Sequence, residues 1–499
     1  MDKDLVFKRL LCYGLFSEKL GAIFSSKIFG EWIISNFSSL SIPKDKRYPL
    51  LPYKITRNNN SPRYLSIPHP LGFVKNCQEI QKSWEKIEEQ IVSVRDYDKK
   101  SMVKLKEGNA NHRLFSMDSY DQNRNKEEIQ VRKQFGKKYL VHADIANCYP
   151  SVYTHAIGWA LVGKKTAKKN QTNKKVWYNR LDATYRNMQD GETKGLPIGP
   201  DSSAIAAELI LAQIDKKLYK YDYLRFIDDY KCFCTSKEEA DNFIRDLGRE
   251  AEEFRLFLNT KKTKILPLPQ ALNEDWVRKL KQFIDWKEIS RFNKDKIIGF
   301  FDLSNELFQK NPSESPIRYA AKVLIGKKYV DFSSYNLILG YFLNLCFLFP
   351  YVLDICDGLM EIGIRRFPGW EKQIKERVQE SLEKILIEHV KYNRSDVLTW
   401  GLFLAIKYDL TFASFSKLSK KILKTKDCIP ALMCYLYQKS KKGNIQDFLD
   451  ILGKVDEGEW WLFNYEVSRM EGRPISNTEM ERFRQARITF LSQEILGSL

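Results

Sequence analysis

The sequence predicts an α+β region followed by an all-α region, and three observations support this prediction. Apolar, strand-length runs alternate with helical patterns up to about residue 270. Two acids, Asp228 and Asp229, interrupt the aromatic run from Tyr223 to Cys234, as expected for a β-hairpin. From Gln270 to the last residue, the pattern is helix after helix. We therefore predict an N-terminal helical segment at 1–44, an α+β region at 45–270 and a helical repeat-like domain at 271–499.

Composition indicates a folded protein with a polyanionic partner. The chain has 499 residues, of which 43% are hydrophobic and 13% aromatic, so a large core and two or three domains are expected. Its 82 basic and 63 acidic residues leave a net charge of +19. This balance favours nucleic acid over a membrane as the partner.

Three further features indicate a cytoplasmic protein without a membrane partner. The nine cysteines are scattered and lack a C-x-x-C pair, which argues against a disulfide framework or a zinc site. The charged N-terminus has no signal-peptide pattern. The uncharged run Phe332–Leu353 is long enough to span a bilayer, but its asparagines and Pro350 favour a buried helix.

The first 137 residues predict helices around a short hairpin. Residues 1 to about 45 have a helical, amphipathic pattern. Strand patterns at Leu51–Arg57 and Arg63–Ile67 flank a polar turn, which places Lys54 and Arg63 on neighbouring strands. A helix is expected from about Val74 to Val94, whereas 95–137 is too polar and irregular for a detailed prediction.

A strand and a basic loop follow. The apolar run from Lys138 ends at Asp144, and a helix is expected from about Ser151 to Val162. Six lysines lie between Lys164 and Lys175. This loop has two open interpretations, a solvated surface or a phosphate contact.

A rigid loop and the acidic hairpin complete the α+β region. The loop Gly195–Pro200 precedes a helix at Asp201, whose short polar residues can cap its free amides. After the hairpin, Ser236–Leu258 predicts an amphipathic helix, followed by a Lys-rich turn and a short strand near Ile265–Pro269. The later helical patterns include Trp276–Trp286, Ser315–Leu324, Glu371–Tyr392 and Glu479–Leu496.

The paired acids have a structural and a chemical interpretation. By themselves, Asp228 and Asp229 could form an exposed turn, with Arg225 as the nearest cation. Crowded carboxylates also suit Mg²⁺, which prefers oxygen ligands. Two-metal phosphoryl transfer needs carboxylates from separate strands to hold ions about 3.5–4 Å apart. Asp144 and Asp228 can supply them if their strands are neighbours in one antiparallel sheet.

Taken together, these motifs resemble the palm of reverse transcriptases over roughly residues 50–270. Asp144-Ile-Ala-Asn-Cys-Tyr149 resembles motif A, and Gly195-Leu-Pro-Ile-Gly-Pro-Asp-Ser-Ser203 resembles motif B. Phe226-Ile-Asp-Asp229 resembles motif C, with Phe where Tyr is usual, and Leu256–Thr263 resembles motif D. The resemblance implies right-hand polymerase fingers and palm at 45–270.

The resemblance also implies a role for individual residues. Asp144, Asp228, Asp229 and the Ile145 carbonyl would hold two Mg²⁺ ions, which Mn²⁺ can replace. The remaining roles concern the nucleotide. Lys54 and Arg63 would bind the triphosphate, and Gly199 would let the backbone approach the nucleotide. Tyr149 would act as a steric gate against ribonucleotides. Lys262 would protonate the leaving group, with Lys261 and Lys264 as competitors.

Finer motifs are similar to the bacterial abortive-infection (Abi) and defence-associated reverse transcriptases. These motifs are Asn147–Gly163, Ile67–Pro70 and Pro197–Pro200. That resemblance implies antiphage defence, a homo-oligomer, and DNA synthesis from dNTPs that can be untemplated, protein-primed or templated by a noncoding RNA. Ile198 stands where Gln is usual, which weakens the case for ordinary templated pairing.

Two alternatives stay open at this point. One is a conventional RNA-templated reverse transcriptase of a retron or mobile element. The other is a non-catalytic scaffold that binds nucleic acid. The intact acids at Asp144, Asp228 and Asp229 argue against the scaffold.

Overall fold

The structure, a computed structural model, describes the chain except for residues 44, 59–60, 94–99, 106–111, 118–123, 284–293, 313–314, 326–330 and 456–457. The chain divides into two compact units. The first comprises Met1–Leu51, Ser66–Leu272 and Arg473–Phe490, and the second comprises Pro52–Leu65, Asn273–Gly472 and Leu491–Leu499. The domain boundaries at 44/45 and 270/271 stay a prediction.

The secondary structure up to residue 270 mixes strands and helices. The strands are β1 (Leu51–Thr56), β2 (Pro62–Ile67), β3 (Val103–Leu105), β4 (Phe115–Met117), β5 (Tyr139–Asp144), β6 (Tyr223–Phe226), β7 (Asp229–Cys234) and β8 (Lys264–Pro267). The helices are α1 (Lys3–Tyr13), α2 (Lys27–Asn36), α3 (Pro70–Val92), α4 (Arg124–Gln134), α5 (Cys148–Ser151), α6 (His155–Val162), α7 (Lys164–Lys169), α8 (Trp177–Asn187), α9 (Asp201–Lys217) and α10 (Lys237–Glu253).

Every element that the structure describes from Asp275 onward is a helix. These are α11 (Asp275–Phe283), α12 (Lys294–Lys310), α13 (Pro316–Ile325), α14 (Phe332–Leu348), α15 (Cys356–Arg366), α16 (Glu371–His389), α17 (Ser395–Lys407), α18 (Phe415–Lys424), α19 (Cys428–Ser440), α20 (Gln446–Ile451), α21 (Trp461–Met470), α22 (Thr478–Gln485) and α23 (Gln493–Leu496). The helical content is as predicted, whereas a repeat architecture stays a prediction. The predicted helix Trp276–Trp286 is present up to Phe283, and its end lies outside the described residues.

The central sheet brings the predicted acid-bearing strands together. Its four antiparallel strands have the order β6-β7-β5-β8. Asp144, the last residue of β5, lies opposite Asp229, the first residue of β7. The condition that the sequence analysis placed on the acids, neighbouring strands in one antiparallel sheet, is therefore met.

Helix α10 packs against this sheet through an apolar face. Ala240, Phe243, Leu247 and Ala251 recur at helical spacing and are fully buried. The ring of Phe243 lies 6.0 Å from that of Tyr223 on β6. The apolar face of α10 thus forms a helix layer against one face of the sheet and supports the hairpin.

Two predicted helices have different boundaries. The helix expected at Ser151–Val162 begins at His155 as α6, and Ser151 instead ends the short helix α5. Helix α10 ends at Glu253 instead of Leu258, and Arg255 adopts a left-handed conformation with φ +62°. A left-handed residue stops helical hydrogen bonding, so the chain turns and runs back toward β5.

The predicted side-chain cap of α9 is wrong. Pro200 occupies the N-cap position, and no side chain caps the helix. The Asp201 carboxylate instead accepts hydrogen bonds from Arg113 Nε (2.9 Å) and from the backbone amide of Leu114 (3.0 Å). A charged partner distant in sequence has thus taken the place of the local cap.

The long uncharged run forms a helix of the second unit. Helix α14 ends at Leu348, just before Pro350, and none of the helices that the structure describes is long and apolar enough to cross a membrane. All nine cysteines carry free, buried thiols.

Candidate active site

The turn of the acidic hairpin consists of Ile227 and Asp228. Phe226 pairs with Asp229, so Asp229 is a strand residue and the predicted Asp228-Asp229 turn is wrong by one position. Ile227 adopts φ +57°, which is unfavourable for a β-branched residue. This conformation costs roughly 1–2 kcal/mol, so surrounding contacts must hold the turn in place.

Arg225 supplies such a contact from beneath the turn. Its guanidinium is fully buried and donates a hydrogen bond to the Ile227 carbonyl oxygen (3.0 Å). The same group binds Glu208 (2.6 Å) and Asp215 (2.8 Å) on α9. Arg225 was expected to be the cation nearest the paired acids. The buried carboxylates of α9 bind it instead, so it supports the turn that carries Asp228.

Asp144 lies at the centre of a hydrogen-bond network. Its buried carboxylate accepts hydrogen bonds from Lys262 Nζ (3.1 Å) and Asn259 Nδ2 (3.0 Å). The Asn259 backbone amide also donates to the Asp144 carbonyl oxygen (2.7 Å), and Ile145 donates its amide to the Asp228 carbonyl oxygen (3.1 Å). Three chain segments therefore fix the position of Asp144 relative to the turn.

The acids crowd negative charge into a small volume. Desolvation, a hydrogen bond with Asp144 and the charges of Asp228 and Asp144 raise the pKa of Asp229 to about 7, opposed by Lys262. The neighbouring carboxylates repel one another, and a divalent cation bound between them would reduce this repulsion. The oxygen-only donor set fits Mg²⁺. Within the described part of the chain, no three acidic, histidine or cysteine side chains are already clustered to hold a metal ion.

Lys262 is the lysine that the structure places at the acids. Its ammonium group is 64% exposed and pairs with Asp144. Neither competitor, Lys261 or Lys264, makes an ion pair among the described residues. The expectation that Lys262 acts in this region therefore has geometric support, while its role as a proton donor stays a prediction.

Tyr149 and Gly199 lie on segments that contact each other. Tyr149 is partly exposed, and its carbonyl oxygen accepts a hydrogen bond from the amide of Leu196 in the Gly/Pro loop (2.9 Å). The hydroxyl group of Tyr149 itself is buried, and this burial, with the charge of nearby acids, raises its pKa, so the hydroxyl stays neutral. Gly199 has φ +138°, a backbone conformation that residues with a side chain rarely adopt, although a Cβ atom there would make only an ordinary contact of 3.5 Å with the Ser66 carbonyl oxygen. The fold itself thus gives a reason for glycine at 199.

Lys54 and Arg63 occupy the two strands of one hairpin, as predicted. Strands β1 and β2 form a two-stranded sheet, and both residues belong to the second unit. The Lys54 amide donates to Ser395 Oγ (3.3 Å), and the Thr56 amide donates to Asp396 Oδ2 (2.7 Å). Helix α17 therefore anchors this hairpin through its first two residues.

Sequence reasoning missed several of these residues. Ser395 and Asp396 carried only the ordinary signal of a helix start, and Asn259 carried that of a turn. Glu208 and Asp215 form ion pairs with Arg225 only after α9 and β6 meet. For Glu208, the one available signal was its position on an otherwise apolar helix face, because a buried acid there needs a charged partner.

One protein family matches part of the chain. Residues 78–300 match the family described as "Reverse transcriptase (RNA-dependent DNA polymerase)". The matched segment includes Asp144, Asp228, Asp229 and Lys262, whereas β1 and β2 precede it. No curated protein matches the sequence.

Telomerase structures from two yeasts show a distant likeness. Apo telomerase from Candida tropicalis, truncated from its C-terminal domain, has a TM-score of 0.31 and 12% identity, over 50% of this chain and 56% of that chain. Apo telomerase from the same organism has a TM-score of 0.34 and 11% identity, over 84% of this chain and 75% of that chain. Telomerase from Candida albicans in complex with a telomeric RNA fragment has a TM-score of 0.29 and 11% identity, over 79% of this chain and 68% of that chain. These similarities are too low to support a functional argument.

Proposed function

Because residues 78–300 match the reverse transcriptase family, we propose that this chain synthesises DNA from dNTPs in antiphage defence. The family match confirms the predicted class, RNA-directed DNA polymerase. The observation that carries the activity is the pairing of Asp144 with Asp229 in the sheet, with Asp228 in the adjoining turn and Lys262 at 3.1 Å from Asp144. The defence role rests on the resemblance to abortive-infection enzymes.

The proposed chemistry assigns each residue one task. Asp144, Asp228, Asp229 and the Ile145 carbonyl would hold Mg²⁺ or Mn²⁺. When bound, these ions would activate the attacking hydroxyl and stabilise charge on the phosphates. Lys262 would donate a proton to the departing pyrophosphate. The ion pair between Lys262 and Asp144 supports this assignment.

The nucleotide itself would be held by residues assigned from the resemblance. Lys54 and Arg63 would bind the triphosphate, the first as a point charge and the second through a bidentate fork. The ring of Tyr149 would exclude a 2′-hydroxyl and so select deoxynucleotides.

Priming and template use form the finer part of the proposal. Ile198 replaces the usual Gln of motif B, and the chain is strongly basic. We propose synthesis without an added primer–template, starting from a protein side chain or from a bound noncoding RNA. Labelled DNA should then stay attached to denatured protein and be released by protease, or depend on co-purified RNA. Faithful copying that requires an annealed primer would favour the conventional reverse transcriptase.

The central experiment measures Mg²⁺-dependent incorporation of labelled dNTPs by the purified protein, with and without co-purified RNA. Asp228→Ala combined with Asp229→Ala should abolish incorporation, because the loss of two carboxylates removes metal ligands. Asp241→Ala, an exposed acid on α10, should leave incorporation unchanged. Near wild-type incorporation by the double variant would refute the two-metal assignment. No incorporation by the wild type under any condition would favour the non-catalytic scaffold.

A further inference from the structure

An unusually basic surface lies on the first unit. We call the segment Lys164–Lys175 the lysine surface. It comprises α7 and the turn that follows, and it contains six lysines and no acid. Lys164 pairs with Glu253 (3.0 Å). The five exposed lysines that have no carboxylate partner among the described residues are Lys165, Lys168, Lys169, Lys174 and Lys175.

The internal contacts of α7 do not explain its charge. Lys164 and Lys168, and likewise Lys165 and Lys169, are spaced four residues apart, so like charges face each other and destabilise the helix. No acid lies in its first turn, and no side chain caps it. Only Ala167 is buried. A bound polyanion would attract each lysine and so offset their mutual repulsion.

Neighbouring residues connect the lysine surface to the catalytic acids. The Arg255 guanidinium lies 4.4 Å from the ring centre of Tyr153 and 5.6 Å from that of Trp159, next to Lys164. Asn259, which binds Asp144, follows Glu253 by six residues. Six residues span at most about 22 Å, so the two sites are within reach of a strand of a few nucleotides.

We propose that the lysine surface binds the phosphate backbone of single-stranded RNA that the polymerase domain uses as its template. The identity of the strand rests on the proposed function. Lysine ammonium groups act as point charges toward phosphate and carry no base preference. Trp159 is only 6% exposed and lies beneath cations, so the surface offers charge and not a stacking platform. Binding is therefore independent of sequence and sensitive to salt.

The test is a binding measurement by fluorescence anisotropy, with a labelled single-stranded RNA of mixed sequence and no dNTPs. The triple variant Lys165→Gln, Lys168→Gln and Lys169→Gln should bind this RNA about tenfold more weakly at about 150 mM salt. The slope of log affinity against log salt should fall by about 2, because each lost phosphate contact contributes about 0.7 for a single strand. The thermal midpoint should not decrease, since the removed charges repel one another.

The chain offers a control matched in charge and exposure. Lys3 and Lys8 on α1 and Lys27 on α2 are also exposed and have no carboxylate partner in the described part of the chain. Their replacement by Gln should reduce RNA affinity less than threefold. Equal losses in the two triple variants would overturn the proposal, since net charge alone would then explain binding. Unchanged binding by the α7 variant would overturn it as well.

Two further arms separate the partner and the proposed function. A loss confined to single-stranded DNA, with RNA binding intact, would overturn the assignment of RNA. Because binding is measured without dNTPs, a wild type that binds RNA through these lysines but incorporates no nucleotide would refute the polymerase proposal and leave the lysine surface standing. A wild type that binds no RNA would refute the lysine surface whatever its activity.

Discussion

Asp144 illustrates how one side chain depends on residues far away in sequence. Its carboxylate is bound by Asn259 and Lys262, more than a hundred residues later, and faces Asp229 across the sheet. The sequence identified Asp144, Asp228 and Asp229 because acids that end or interrupt apolar strands are unusual. It could not identify Asn259, since an asparagine in a turn has a sufficient local explanation.

At the same scale, Tyr149→Ala should admit ribonucleotides. The change removes a ring and leaves Asp144 and its hydrogen-bond partners in place. Incorporation of matched dNTPs and NTPs by the variant and the wild type measures the sugar preference. An active variant whose preference equals that of the wild type would show that Tyr149 is not the steric gate.

Among the secondary-structure elements, the β1–β2 hairpin is held by a helix distant in sequence. Asp396 at the start of α17 accepts hydrogen bonds from the amide and the hydroxyl of Thr56, at 2.7 and 2.9 Å. Ser395 accepts from Lys54 and donates to Asp427. These contacts replace the neighbouring strand that the outer edge of β1 lacks.

Asp396→Ala should destabilise the second unit by about 1–3 kcal/mol, because the Thr56 amide and hydroxyl lose their acceptors. If Lys54 binds the triphosphate, the KM for dNTPs should rise severalfold with little change in kcat. Thermal unfolding and steady-state kinetics measure the two effects. Asp447→Ala, an exposed acid on α20, is the control and should behave like the wild type. A variant as stable as the wild type would show that α17 does not anchor the hairpin.

The same anchor should give the second unit a characteristic pH dependence. Burial raises the pKa of Asp427 to about 6, opposed by its hydrogen bond from Ser395 and the charge of Lys54. The folded state therefore binds more protons than the unfolded state between about pH 4 and 6, and this group's contribution to stability falls as pH rises through that window.

Asp427→Asn removes this titration. The thermal midpoint of the variant minus that of the wild type should become more positive from about pH 4.5 to 7, by the equivalent of at most about 3 kcal/mol. The midpoint of the variant is compared with that of the wild type because His389 also titrates. Burial lowers the pKa of His389 to about 4, so its contribution to stability rises with pH, and this contribution cancels in the difference. A difference that does not change with pH would contradict the raised pKa of Asp427.

At the scale of the whole molecule, the helices after residue 270 contain no recognisable chemistry of their own. We predict that they build a homo-oligomer, a nucleic-acid channel, or both. Mass measurement of the purified protein over a range of concentrations tests assembly, and RNA binding at low salt tests the channel. A strict monomer that binds no nucleic acid would remove both roles.

By itself, the sequence predicted the order of the elements, three candidate acids and, through the resemblance of its motifs, the class of enzyme. This was possible because hydrophobic periodicity is local, and because strand-ending acids, the Gly/Pro loop and the Asp-Asp hairpin occur in a specific order. The match of residues 78–300 to the reverse transcriptase family confirms that class. The defence role, the metal ligands and the nucleotide contacts stay predictions.

Only the tertiary structure decided which charged groups meet. Arg225 binds Glu208 and Asp215 instead of the hairpin acids, and Asp201 binds Arg113 instead of capping its own helix. The turn moved by one residue, to Ile227-Asp228, because the strand register pairs Phe226 with Asp229. In each case the deciding energy comes from buried, charge-assisted hydrogen bonds or sheet register between segments distant in sequence, which a local pattern does not encode.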